Sequence, residues 1–295
     1  MSKTRYTLYA IAVPVLYFVI QIVVTSAAMV VIMFGRAAEI AASAADTEAI
    51  MAMMNELLLE ALEYTMTVTL LSAAVFVGVM LIIHRRRDMW KDVRLVPTGG
   101  GFGFALAMAV VSGVALNLAS SSLLSALPLP DDMMAQYQQI IEATLGGNPL
   151  VMVLGVCLVA PFIEELIYRG FTQRFLSESM GPWLACVTQA LIFGLFHGNA
   201  AQSAYAFAAA MAMGMLYMWT KSLWVTIAFH VAYNTSSFGL DAVLTSVYGE
   251  SEPSAGMWAL LTAAGGTVTV ICLHLAYKRF KPQTPTNPGS DTNLP

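Results

Sequence analysis

The chain has 295 residues, of which 58% are hydrophobic and only 11% charged, with a mean hydropathy of +0.70. Soluble domains carry roughly a quarter charged residues, so this composition excludes an ordinary globular enzyme and indicates a polytopic membrane protein. The net charge of −4 is small, and no basic patch with interleaved aromatics suggests a nucleic-acid partner.

Residues 7–34 are almost uninterruptedly apolar behind Lys3 and Arg5. A cleaved signal peptide has an apolar core of only about 7–15 residues. This run is far longer and reads as a retained first span, with Pro14 placed to kink it. Residues 37–63 carry Glu39, Asp46, Glu48, Glu56, Glu60 and Glu63 and read as amphipathic helix outside the membrane or extending the flanking spans. Span two covers residues 64–83 and stops at His84-Arg-Arg-Arg87, with Lys91 and Arg94 following. Span three covers 102–127, behind the turn Gly99-Gly-Gly-Phe-Gly103.

Residues 128–149 read as a loop with Asp131, Asp132 and Glu142 but no Lys or Arg. Span four starts near Leu150; spans five to eight cover 182–197, 201–219, 223–240 and 257–277. The expected fold is therefore all-α, a bundle of about eight transmembrane helices. Residues 1–280 form one domain, and residues 281–295 a disordered polar tail. Trp90, Trp183, Trp219, Trp224 and Trp258 fall near span ends, as interfacial anchors do. Cys157, Cys186 and Cys272 lie in apolar segments with neither metal-knuckle nor disulfide spacing.

Lys and Arg residues concentrate at the N-terminus, residues 85–94, the Lys221 turn and Lys278–Lys281. The alternate loops are acidic or uncharged, with Arg36 the exception. The positive-inside bias then places both termini in the cytoplasm, in a multi-pass protein of the cell membrane.

Against this background Glu164, Glu165 and Arg169 stand out inside span four, because ionised groups are costly in a bilayer unless paired or facing water. If span four continues through Arg174 and Ser177 to a turn at Met180-Gly181, Glu164 and His197 lie at one depth, roughly 24 Å from that turn. His230 comes out somewhat shallower, at roughly 14 Å, with Asn234 one turn deeper and closer to level. Glu165 and Arg169 are four residues apart and share a face, so they form an ion pair. Glu164 points about 140° away, free to face a cavity. His230 and Asn234 stack on one face of span seven, and Phe193 packs beside His197 on span five.

This set contains what peptide hydrolysis needs. A carboxylate and an imidazole can hold and deprotonate water, and imidazole and carboxamide N–H groups can stabilise an oxyanion. Burial of Glu164 suits it to a base.

The motifs Glu164-Glu165-x-x-x-Arg169, Phe193-x-x-x-His197 and His230-x-x-x-Asn234 resemble, in order and spacing, those of the type II CAAX prenyl endopeptidases and their bacterial bacteriocin-processing relatives. The resemblance spans about residues 150–240. It implies a glutamate-dependent intramembrane endopeptidase that needs no metal or cofactor and acts on a membrane-associated peptide or protein near the cytoplasmic side. Glu164 and His197 would activate water, His230 and Asn234 would form the oxyanion hole, and Glu165 and Arg169 would support the site. Two alternatives stay open: a zinc protease using Glu164, His197 and His230 as ligands, and a catalytically silent membrane binding or immunity protein.

Overall fold

A long apolar run in a bilayer can satisfy its backbone N–H and C=O groups only internally. Each such run forms a helix in the computed structural model, which describes residues 2–43, 46–86, 88–95, 100–145, 147–249, 251 and 253–281. The helices are α1 (Lys3–Gly35), α2 (Ala37–Ser43), α3 (Thr47–Glu63), α4 (Thr65–Ile83), α5 (Met89–Asp92), α6 (Phe102–Ala126) and α7 (Asp131–Leu145). They continue with α8 (Pro149–Met180), α9 (Pro182–Leu195), α10 (Ala200–Thr220), α11 (Leu223–Tyr248) and α12 (Ala255–Phe280). Among the described residues there is no strand.

Length and composition qualify α1, α4, α6, α8 and α12 as membrane-crossing, and α9 is a shorter apolar helix. The eight crossings read from the sequence require α9, α10 and α11 to cross as well. Polar residues mark the starts of several helices. Asn148 Oδ1 accepts the N–H groups of Leu150 and Val151 ahead of α8, and Asn199 Oδ1 those of Ala201 and Gln202 ahead of α10.

The chain passes repeatedly between two ends of the bundle, each tied by specific contacts. At one end Tyr9 bonds His84 at 2.9 Å, the Leu223 N–H donates to the Arg94 carbonyl, and Arg174 faces Asp92 at 3.9 Å. At the other, Arg36 at the C-cap of α1 pairs with Glu39 and Glu56 on α2 and α3, and the Tyr137 ring of α7 meets Tyr205. The paired carboxylates hold the Arg36 guanidinium above its ordinary pKa.

Two boundaries differ from the sequence reading. The loop expected over residues 128–149 contains helix α7, whose first turn carries Asp131 and Asp132, where the helix dipole favours negative charge. Its amphipathic pattern is too polar for a span and lies against the bundle instead. Span seven, expected to end at 240, runs on to Tyr248. The tail expected at 281–295 falls outside the described residues beyond Lys281, and so does Gly99 of the expected turn.

Helices in lipid pack closely only where small residues admit backbone contact. A Cβ on Gly113 of α6 would collide with the Phe229 carbonyl of α11. One on Gly265 of α12 would collide with the Ala115 carbonyl and stand 2.8 Å from the Ala119 nitrogen. By contrast, nothing lies within 4 Å of the same position at Gly78. Gly265→Leu should therefore destabilise the bundle by about 1–3 kcal/mol, visible as a lowered unfolding midpoint in detergent. Gly78→Ala should leave that midpoint unchanged.

Candidate active site

Helix α8 carries the central residues and is irregular around them. Pro161 has no N–H and its ring clashes with the carbonyl four residues back. The helix accommodates it with a π-helical stretch at Gly155–Val159. A second π stretch follows at Leu166–Gln173, all of it buried. Such wide turns redirect side chains and free carbonyls from the regular ladder. The Val156 carbonyl in the first stretch accepts the Asn234 Nδ2–H at 2.9 Å, linking α11 to α8.

Glu165 and Arg169 are both fully buried, and Arg169 Nη1 donates to Glu165 Oε1 at 2.7 Å. The other end of the guanidinium donates to the Ala210 carbonyl of α10 at 3.1 Å, and the group stacks over the Phe193 ring at 4.9 Å. Glu165 Oε1 has a second partner, His230 Nδ1 at 2.9 Å. A carboxylate oxygen only accepts, so Nδ1 carries the hydrogen. His230 Nε2 is left facing Glu164 Oε2 at 3.8 Å. His197 is oriented in the same way: Nδ1 donates to the Phe193 carbonyl at 2.8 Å, and in the neutral ring Nε2 is then an acceptor.

Glu164, Phe193, His197, His230 and Asn234 line one cavity of about 650 Å³. Glu164 is 27% exposed at its side chain, whereas Glu165 beside it is sealed. The separation of the two glutamates by helical phase is therefore observed. The depth count needs correction. His230, expected to be shallower than Glu164, lies beside it, and Asn234 reaches past it toward Val156. The π turns of Leu166–Gln173 advance the axis less per residue than 1.5 Å, so Glu164 sits nearer the Met180 turn than regular helix predicts.

Zinc would need Glu164, His197 and His230 in one coordination shell. Among the described residues no three His, Cys, Asp or Glu side chains are grouped closely enough to hold a metal ion. The donor set does not fit that alternative.

Sequence reasoning missed the far wall of the cavity, which includes Asn117, Ser120, Tyr137, Gln202 and Tyr205. Its one visible signal is the polar run from Asn117 to Ser122 inside an otherwise apolar span.

Comparison with known proteins bears on the same segment. Residues 146–236 match the sequence model of the family described as type II CAAX prenyl endopeptidase Rce1-like. A protein of Bacillus subtilis (strain 168) titled "Putative membrane peptidase YdiL" is 29% identical over 101 residues, 34% of this chain and 41% of that protein. The chain thus aligns with about two-fifths of the length of the curated relative it matches. No solved structure matches. The resemblance carried by the three motifs is therefore shown for the segment that holds the cavity's charged residues.

Removing one partner of a buried ion pair leaves an uncompensated charge, at a cost of about 3–5 kcal/mol. Glu165→Gln should accordingly lower the unfolding midpoint of the purified protein sharply. Glu164→Gln, at a partly exposed position, should leave it within error.

Proposed function

We propose that this chain is an intramembrane endopeptidase of the CAAX-protease type, hydrolysing a peptide bond of a membrane-associated peptide or protein with water activated by Glu164 and His197. The observation that carries the reading is the double use of Glu165 Oε1, which binds Arg169 and His230 at once and so aims the second nitrogen of His230 toward Glu164.

Water held between the Glu164 carboxylate and His197 Nε2 loses a proton to one of them as its oxygen attacks the scissile carbonyl carbon. The carbonyl π bond opens and its electrons become the oxyanion. His230 Nε2 donates to that oxygen only when the ring carries its second proton. Asn234 has two amide hydrogens, one engaged with Val156 and the second available to the same oxyanion. Collapse of the intermediate breaks the C–N bond, and the proton taken from water passes to the departing amine. Phe193, between Arg169 and His197, keeps the supporting pair and the base in register.

The same reading takes residues 1–280 as one membrane domain of eight crossings, in the cell membrane, with both termini in the cytoplasm. Its partners are the bilayer and a peptide or membrane-protein substrate.

The test is cleavage of candidate membrane-protein termini by purified protein. Glu164→Gln and His197→Ala should each lower turnover by about 10²–10⁴-fold, as loss of a general base does. Activity should persist in excess of a tight metal chelator. Equal cleavage by wild type and both variants would overturn the mechanism, and loss of activity on chelation that zinc restores would replace it with metal chemistry.

A further inference from the structure

A second cavity, of about 250 Å³, shares no lining residue with the first. Its wall brings together the start of α6 at Phe102, the Lys221 turn between α10 and α11, and Phe280, the last residue of α12. Trp219 also lines it and packs on Tyr277 at 5.2 Å. The apolar spans α6 and α12 begin and end here, and aromatic side chains at span ends sit at the level of the lipid headgroups.

The charges around this cavity are one-sided. Lys221 lines it directly and is exposed. Arg279 lies beside it: a Cβ on Gly101, between the lining residues Gly100 and Phe102, would stand 3.4 Å from Arg279 Nη2. The same guanidinium carbon lies 5.6 Å from the centre of the Phe280 ring. Arg94 is tied to the Lys221 turn by its carbonyl, which accepts the Leu223 N–H at 3.0 Å. Burial and the Arg94 charge hold the Lys221 ammonium below the usual lysine pKa.

Elsewhere at this end the cations have counter-charges, Lys91 with Asp88 at 3.4 Å and Arg174 with Asp92 at 3.9 Å. Among the described residues no carboxylate pairs with Arg94, Lys221 or Arg279. Like charges gathered beside one cavity repel, and an anion seated between them turns that repulsion into attraction. The volume falls below the roughly 300–1,000 Å³ of small-molecule sites, which suits a headgroup whose acyl chains stay in the bilayer. Basic pockets between membrane helices hold phosphate headgroups in this way.

We propose that this cavity binds the phosphate headgroup of an anionic membrane lipid through Lys221 and Arg279, and that the lipid fastens the ends of α6, α11 and α12 together.

The test uses delipidated full-length protein in neutral detergent, titrated with dioleoylphosphatidylglycerol and followed by native mass spectrometry and by the unfolding midpoint. Dioleoylphosphatidylcholine, which carries no net charge, and inorganic phosphate are the comparison probes. Phosphatidylglycerol should fill one saturable site and raise the midpoint, and the other two should do neither. Lys221→Gln combined with Arg279→Gln should weaken that site about thirtyfold, the factor that roughly 1 kcal/mol per cation gives. Both side chains are exposed, so the midpoint of this variant without lipid should match that of wild type. Lys3→Gln combined with Arg86→Gln removes the same charge and should leave phosphatidylglycerol binding unchanged. Equal weakening in both double variants, or in neither, would overturn the site in favour of diffuse attraction. Equal binding of phosphatidylcholine would overturn the need for an anionic headgroup. An equal midpoint shift with inorganic phosphate would overturn the lipid and leave a free-anion site. Absence of saturable phosphatidylglycerol binding would overturn the proposal outright. Each of these outcomes leaves the protease reading untouched.

Discussion

The shared oxygen of Glu165 is the constraint on which the site depends. It lies in fully buried surroundings, where an uncompensated charge costs several kcal/mol. It resolves that cost by accepting from Arg169 along its own helix and from His230 across the bundle. The first bond anchors a guanidinium that also binds the Ala210 carbonyl and covers Phe193. The second fixes the tautomer and direction of an imidazole. One carboxylate thereby ties α8, α10 and α11 together and leaves its neighbour Glu164 as the exposed acid of the pair.

The adjacency of two glutamates acquires its meaning from this arrangement. Consecutive helical residues face different directions, so one can be sealed in a charge network while the other lines a polar cavity. The π stretches on either side of the pair belong to the same design. The first follows from Pro161, which cannot continue a regular ladder, and it supplies the carbonyl that positions Asn234. The second brings Glu164 level with His230.

Much of this was legible in the sequence, and for identifiable reasons. Hydropathy gave the long helices, because backbone groups in lipid have no alternative to internal pairing. The four-residue spacings of Glu165 with Arg169 and Phe193 with His197 translated directly into contacts, since neighbours on one helix need no tertiary information. What was not legible depended on relations between helices. The hydrogen bond from Glu165 that turns His230 toward Glu164, and the π turns that change their relative depth, do not follow from counting regular residues. The amphipathic α7 was hidden because its helical pattern is polar, and with it the Tyr137 side of the cavity wall. The wall around Asn117 and Gln202 was visible only as the polar stretch from Asn117 to Ser122 and a lone Gln202.

The account's central claim is geometric: side chains from three helices gather around one catalytic water. An experimental structure at a resolution that shows ordered waters tests it most directly. The account predicts a water within hydrogen-bonding distance of both the Glu164 carboxylate and His197 Nε2, with His230 Nδ1 bonded to Glu165 and Nε2 turned toward the same cavity. A Glu164 carboxylate packed against lipid or dry side chains, or a His230 ring released from Glu165, would contradict it.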